Sequence, residues 1–179
     1  MTIYLIRHGK TEANEQHLYC GSSDLPLSPG GRAELESIRY AVENVRFLTS
    51  GMKRTNETLQ LLFGTVPFET DSRLREVDFG AFELKSYAQL KDDPDYQVWL
   101  AGDNEANIPP RGESGNQMRT RVLEAYSELN ADTVVITHGG VIAAIMAYLF
   151  PNEGKNRYEW QPKPGCGYKI TGNTYGRIP

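Results

Sequence analysis

Thr133-Val134-Val135-Ile136-Thr137 runs straight into His138-Gly139-Gly140 and then into an apolar stretch from Val141 to Phe150. Consecutive β-branched residues lose side-chain freedom in a helix and pack well on a pleated surface, so this run is the best central strand in the chain. The stretch after the glycines is apolar nearly all round, which marks a buried helix. A strand and a helix that are both buried need cover on both sides. That requirement confines the chain to a layered α/β architecture.

The remaining sequence repeats the alternation. Ile3 to Ile6 is a short apolar run, read as a buried strand. Ser28 to Val45 reads as a helix, because Leu35, Ile38, Val42 and Val45 recur at three- and four-residue spacing. Val45 to Thr49 is a second strand candidate, Thr55 to Phe63 a helix, and Val66 to Glu69 a short strand. Ser114-Gly115-Asn116-Gln117 fits a capping box ahead of a helix with Met118, Val122, Ala125 and Leu129 on one face. Residues 71–113 hold turn residues, with short helices near 86–90 and 96–100, and are expected to form an insertion or lid over a site. The tail, Asn156 to Ile170, offers two short strands around Pro162-Lys163-Pro164-Gly165. At 179 residues, about 70% of the unfolded surface should be hidden on folding. The expectation is one domain over 1–179, a three-layer α/β/α sandwich with a mostly parallel central sheet.

Charge and cysteine content narrow the function classes. Lys plus Arg number 19 and Asp plus Glu 23, a net charge of −4. That mild acidity argues against a general nucleic-acid binder or a polybasic membrane anchor. It leaves room for a small anionic substrate, since a few arginines in one pocket outweigh the global charge. The cysteines, Cys20 and Cys166, make no disulfide framework, and MTIYLIRHGK lacks the basic start and cleavage site of a signal peptide. The apolar stretch from Val134 to Phe150 is interrupted and shorter than the ~20 residues of a spanning helix. A soluble, cytoplasmic protein without nucleic-acid or membrane partners is expected.

In open α/β sheets, ligands bind beyond the carboxyl ends of the strands. Arg7-His8-Gly9 follows the first strand there, Arg54 the second, Glu76 the third, and His138-Gly139-Gly140 the central one. Each alone has an ordinary structural explanation: a strand-end histidine on a carbonyl, a solvated arginine, a loop carboxylate, a tight packing turn. Their common address is the argument for a site. The histidines are His8, His17 and His138, with no close ligand pair, so neither a metal nor another cofactor is expected.

Thr2 to Asn14 (TIYLIRHGKTEAN) resembles the opening signature of the histidine phosphatase superfamily, the phosphoglycerate-mutase-like fold. The likeness continues through Tyr19-Cys20-Gly21-Ser22-Ser23-Asp24, Pro26-Leu27-Ser28, Ser50 to Thr58, Leu74 to Glu83, Gly112-Glu113-Ser114 and Val134 to Gly140. It implies that His8 is the nucleophile that takes the phosphoryl group as a phosphohistidine. Arg7, Arg54 and His138 would clamp the phosphate oxygens, Asn14 would orient or join that pocket, and Glu76 would donate a proton to the leaving group. Cys20, Gly21 and Ser22 would border the substrate, with Gly139 beside the second histidine. Lys10, Phe82 and Leu84 stand where the family often has Glu, Trp and Gly.

Mutases of this family carry longer insertions, a bulky aromatic after the substrate-loop glycine, and Gly-Asn after the second histidine. Here the chain is compact and reads Cys20-Gly21-Ser22-Ser23 and His138-Gly139-Gly140. The resemblance therefore implies the phosphatase branch, close to α-ribazole phosphatases and broad-specificity phosphatases acting on a small phosphorylated metabolite. A mutase-type transfer and a non-catalytic phospho-ligand binder are the alternatives.

Overall fold

The computed structural model describes residues 1–103 and 105–179. Its centre is a six-stranded sheet of order β3-β2-β4-β1-β5-β6. β1 is Thr2–Arg7, β2 Arg46–Thr49, β3 Glu69–Thr70, β4 Thr133–Thr137, β5 Gly167–Thr171 and β6 Thr174–Ile178. β1, β2 and β3 run parallel to their neighbours on the β4 side, while β5 and β6 are antiparallel. The helices are α1 (Glu12–Glu15), α2 (Pro29–Leu35), α3 (Lys53–Phe63), α4 (Tyr87–Leu90), α5 (Pro94–Leu100), α6 (Gly115–Ser127) and α7 (Gly139–Leu149).

Strand alternation builds the layers. Ile3 and Leu5 of β1 and Val135 of β4 pack with Met118, Val122, Ile142 and Met146 of α6 and α7. Ile6, Val134 and Ile136 point the other way, to Leu59 of α3 and to Tyr40, Phe47 and Phe63. Every residue of β4 is buried, and it lies between β1 and β2, as its β-branched run requires. The sheet is thus covered on both faces, the expected α/β/α sandwich. The capping box at Ser114 forms as expected.

Three expected elements differ. The helix expected over 28–45 stops at Leu35. Ile38, Tyr40 and Val42 also fit a two-residue period, and the chain leaves the helix so that Tyr40 donates from its hydroxyl to the Gly165 carbonyl at 2.6 Å. The strand expected over 66–69 shrinks to Glu69–Thr70, since Pro67 has no N–H to give to a ladder. The tail strands lie further on than Pro162, as a β5–β6 hairpin turning at Gly172-Asn173, with Gly172 at φ +57°. A Gly-Asn pair between β-branched residues was the available signal. Residues 71–113 carry α4, α5 and two 3₁₀ turns; Asn104, which falls in the expected lid, lies outside the described residues.

Candidate active site

β1 and β4 are adjacent and parallel, so Arg7-His8 and His138 leave the sheet side by side. The His8 N–H donates to the Thr137 carbonyl at 2.9 Å, extending the ladder one residue past β1. The two imidazoles meet edge to face, 5.1 Å between centroids.

The tautomer of each ring follows from its partners. His8 Nδ1 lies 2.6 Å from the Gly9 carbonyl. A carbonyl only accepts, so Nδ1 carries the proton and Nε2 keeps its lone pair. Burial first, then the Arg54 and Arg7 guanidiniums, hold the His8 pKa well below the ordinary 6.5. His8 is therefore a neutral imidazole, mainly through desolvation and only secondly through neighbouring charge. Arg54 Nε donates to His138 Nδ1 at 3.3 Å, which puts the His138 proton on Nε2, 2.9 Å from Ser50 Oγ. Ser50 Oγ is 3.1 Å from Thr55 Oγ1, whose hydroxyl donates to the Met52 carbonyl. Burial, Arg54 and His8 likewise keep His138 neutral.

Arg54 is fully buried. It sits in the first turn of α3, where a cation opposes the helix dipole. Asp24 supplies the compensating anion, accepting the Lys53 N–H at 2.7 Å. Arg54 donates through Nη1 to the Ser23 carbonyl and through Nη2 to that of Gly21, both at 2.7 Å. Arg7 donates through Nη1 to the Pro162 carbonyl at 2.9 Å. Its buried Nε–H has no acceptor among the described residues. A buried guanidinium N–H left without a partner is costly and fits an anion.

Glu76 completes the cluster from the loop after β3. Its Oε1 accepts the Val77 N–H at 3.0 Å and its Oε2 the Gly140 N–H at 2.9 Å. A Cβ on Gly140 would lie 2.4 Å from Glu76 Oε1, so the second glycine after His138 makes room for this carboxylate. Asn14 Oδ1 accepts from Thr11 N and Oγ1, both at 3.0 Å. Asn14 also lines the cavity that Arg7 and Glu76 border.

Arg7, Asn14, Cys20 and Glu76 line a cavity of about 280 Å³. An outer hollow of about 830 Å³ shares Arg7, Asn14 and Tyr19 with it. His8, Arg54 and His138 line neither hollow; His8 keeps 6% of its surface, and Arg54 and His138 are fully buried. Gly21 and Ser22 do not line either hollow; Gly21 gives its carbonyl to Arg54 and Ser22 its hydroxyl to Asp78. Gly139 lies where a Cβ would meet Gln161 and Arg7.

Sequence reasoning missed several residues. Val77, Phe79, Trp99, Leu100 and Glu113, all within 71–113, wall the inner cavity, joined by Arg157, Tyr158 and Gln161 of the tail. Arg121 Nη1 donates to the Arg73 and Arg75 carbonyls, and Nη2 to that of Glu76, which fixes the loop carrying Glu76. Val77, Phe79 and Glu113 lie inside stretches that carry the resemblance but had no role there; Trp99, Leu100, Arg121 and the tail residues carry no local motif and are brought in by tertiary packing. Among the described residues, no three His, Cys, Asp or Glu side chains converge as a metal-ion cluster, and no helix is long and apolar enough to cross a membrane.

Comparison with known proteins gives one pattern. The family described as histidine phosphatase superfamily (branch 1) matches residues 3–177. The adenosylcobalamin/alpha-ribazole phosphatase of Salmonella typhimurium is 27% identical over 178 residues, spanning 93% of this chain and 88% of that protein. A crystal structure of a candidate alpha-ribazole-5′-P phosphatase from Escherichia coli superposes with a TM-score of 0.86 at 25% identity, covering 99% of this chain and 94% of the other. A phosphoglycerate mutase from Thermus thermophilus superposes with a TM-score of 0.78 at 30% identity, over 95% and 92% of the two chains.

Proposed function

The chain belongs to the histidine phosphatase superfamily, and from that premise we propose that it is a metal-independent phosphatase of small phosphomonoesters working through a phosphohistidine. The observation that carries this reading is the buried Arg7 Nε–H, without an acceptor among the described residues, beside a neutral His8. Such a floor binds a phosphate and offers it a nucleophile.

A phosphate monoester carries nearly two negative charges at neutral pH. Arg7 and Arg54 neutralise it and hold it in line, the service that metal ions give in many phosphoryl transfers. The His8 Nε2 lone pair attacks phosphorus, and the bond to the ester oxygen breaks. Nδ1–H stays on the Gly9 carbonyl, which stabilises the charge that forms on the ring. Glu76 gives its proton to the departing alkoxide. Its carboxylate then takes a proton from water, which attacks phosphorus and breaks the P–N bond, returning His8 and inorganic phosphate. His138, Asn14 and the Cys20–Ser22 loop orient the phosphate.

The wall supports α-ribazole 5′-phosphate as the ester over a phosphoglycerate. Tyr19, Phe79, Trp99 and Tyr158 present flat apolar surface that suits an aromatic leaving group better than a small anionic acid. Residues 71–113 act in this reading as the cover of the site. The test is a panel of phosphate esters incubated with a chelator. The expected result is phosphate release from α-ribazole 5′-phosphate that chelation leaves unchanged. Interconversion of phosphoglycerates faster than phosphate release would make the protein a mutase, and binding without turnover would make it a phospho-ligand binder.

A further inference from the structure

Glu83 lies outside the cluster of clamp and nucleophile, yet its carboxylate carries more hydrogen bonds than any group in it. Oε1 accepts the N–H of Gly21 at 3.0 Å, of Ser22 at 2.9 Å and of Phe79 at 3.1 Å. Oε2 accepts the Ser23 N–H at 3.2 Å and the Ser23 hydroxyl at 2.7 Å. All but one of these donors belong to the loop whose Gly21 and Ser23 carbonyls hold Arg54.

One peptide unit joins the two charged groups directly. The Gly21 carbonyl and the Ser22 N–H belong to the same trans peptide and point to opposite sides of it. The carbonyl accepts from the Arg54 guanidinium and the N–H donates to the Glu83 carboxylate. A planar amide thus stands between an anion and a cation, each polarising it toward the other. The loop cannot turn without losing contacts at both ends. Gly21 is required for this approach, since a Cβ there would lie 1.6 Å from the Val77 carbonyl oxygen.

We propose that Glu83 is a positioning residue for the phosphate clamp, fixing the Gly21–Ser23 peptides that aim the Arg54 guanidinium. The proposal rests on the phosphatase reading above. Glu83 touches no reacting atom; it acts through Arg54, and its loss misdirects the anion-binding N–H groups. The effect falls on phosphate affinity and on turnover together.

Inorganic phosphate is the probe, measured as a competitive inhibitor and by direct titration of the full-length protein. Glu83→Gln is expected to weaken phosphate binding by about tenfold or more, as for loss of hydrogen bonds to a charged group, and to lower kcat as well. Val122→Ala, a cavity in the buried face of α6, serves as a variant with lowered Tm and an intact loop; it should bind phosphate within about twofold of the parent. In an Arg54→Lys background, Glu83→Gln should cost little more, because the two act as one unit. Should Glu83→Gln not fold, Glu83→Asp keeps the charge, shortens the reach and replaces it in every comparison. Phosphate affinity unchanged by the substitution, or losses that add fully to those of Arg54→Lys, would overturn the positioning role. If the parent protein neither binds phosphate nor cleaves an ester, the phosphatase reading fails, and this proposal fails with it.

Discussion

At the floor of the site, His8, Arg54 and His138 retain 6%, 0% and 0% of their surface. In the wall and rim, Tyr87 and Tyr158 retain 61% and 71%. The floor is built from the ends of β1 and β4 and from α3, where backbone carbonyls and buried hydroxyls fix each polar group. The wall is built from 3₁₀ turns, short helices and the tail, held by an aromatic cluster of Tyr19, Phe82, Tyr96 and Trp99. In the proposed reading the nucleophile and the Arg54 and His138 clamp sit at the strand ends and on α3, while the proton donor Glu76 and the surface facing the ester sit on loops and short helices. Glu83 ties one to the other.

If the floor supplies the nucleophile, His8→Ala should abolish turnover and phosphoenzyme formation. A drop on the order of 10⁴-fold or more is typical for a missing nucleophile, and Tm should hold. Persistent acid-labile labelling of the variant would move the nucleophile elsewhere and erase the distinction. The floor should also resist protonation. In the free protein the His8 and His138 imidazole resonances should stay those of neutral rings as pH falls through 6.5. Unfolding releases both rings to ordinary values, so the unfolded chain binds more protons below that pH. Stability contributed by the two rings is therefore full above pH 6.5 and declines as pH falls below it; a titration midpoint near 6.5 in the folded protein would contradict it.

The smallest effect is expected beside the wall, at a residue that lines neither hollow. Leu84 stands where the family often has Gly, and its φ is +58°, with its N–H donating to the Tyr19 carbonyl at 2.7 Å. A branched side chain in the left-handed region costs about 1–2 kcal/mol, partly offset by the freedom glycine gives the unfolded chain. Leu84→Gly should raise Tm by a few degrees, about 2–4 °C per kcal/mol in a chain of this size, and leave His8-dependent chemistry intact. A lowered Tm would show that the Leu84 side chain contributes more than its backbone strain removes.

Much of the floor was legible because each element announces itself locally. Ile3 to Ile6 and Thr133 to Thr137 read as buried strands, and the residues just past them are placed by strand geometry alone. Asn14 was harder, since its cap with Thr11 is a short helix the periodicity never showed. The region from Ile38 to Val45 misled because its apolar residues fit both a helical and an extended period. Arg157, Tyr158 and Gln161 left no trace, as they meet Arg7, Asn14 and Cys20 in the cavity from more than a hundred residues further along the chain.

The sequence by itself determined the α/β alternation, the parallel core and the carboxyl-end address of Arg7, His8, Arg54, Glu76 and His138, because strand burial and turn chemistry are short-range properties. Only the tertiary structure decided which proton each imidazole carries, which guanidinium N–H is left without an acceptor among the described residues, and which distant side chains wall the cavity. Those depend on desolvation and on hydrogen-bond partners that the chain brings together only when the sheet is assembled.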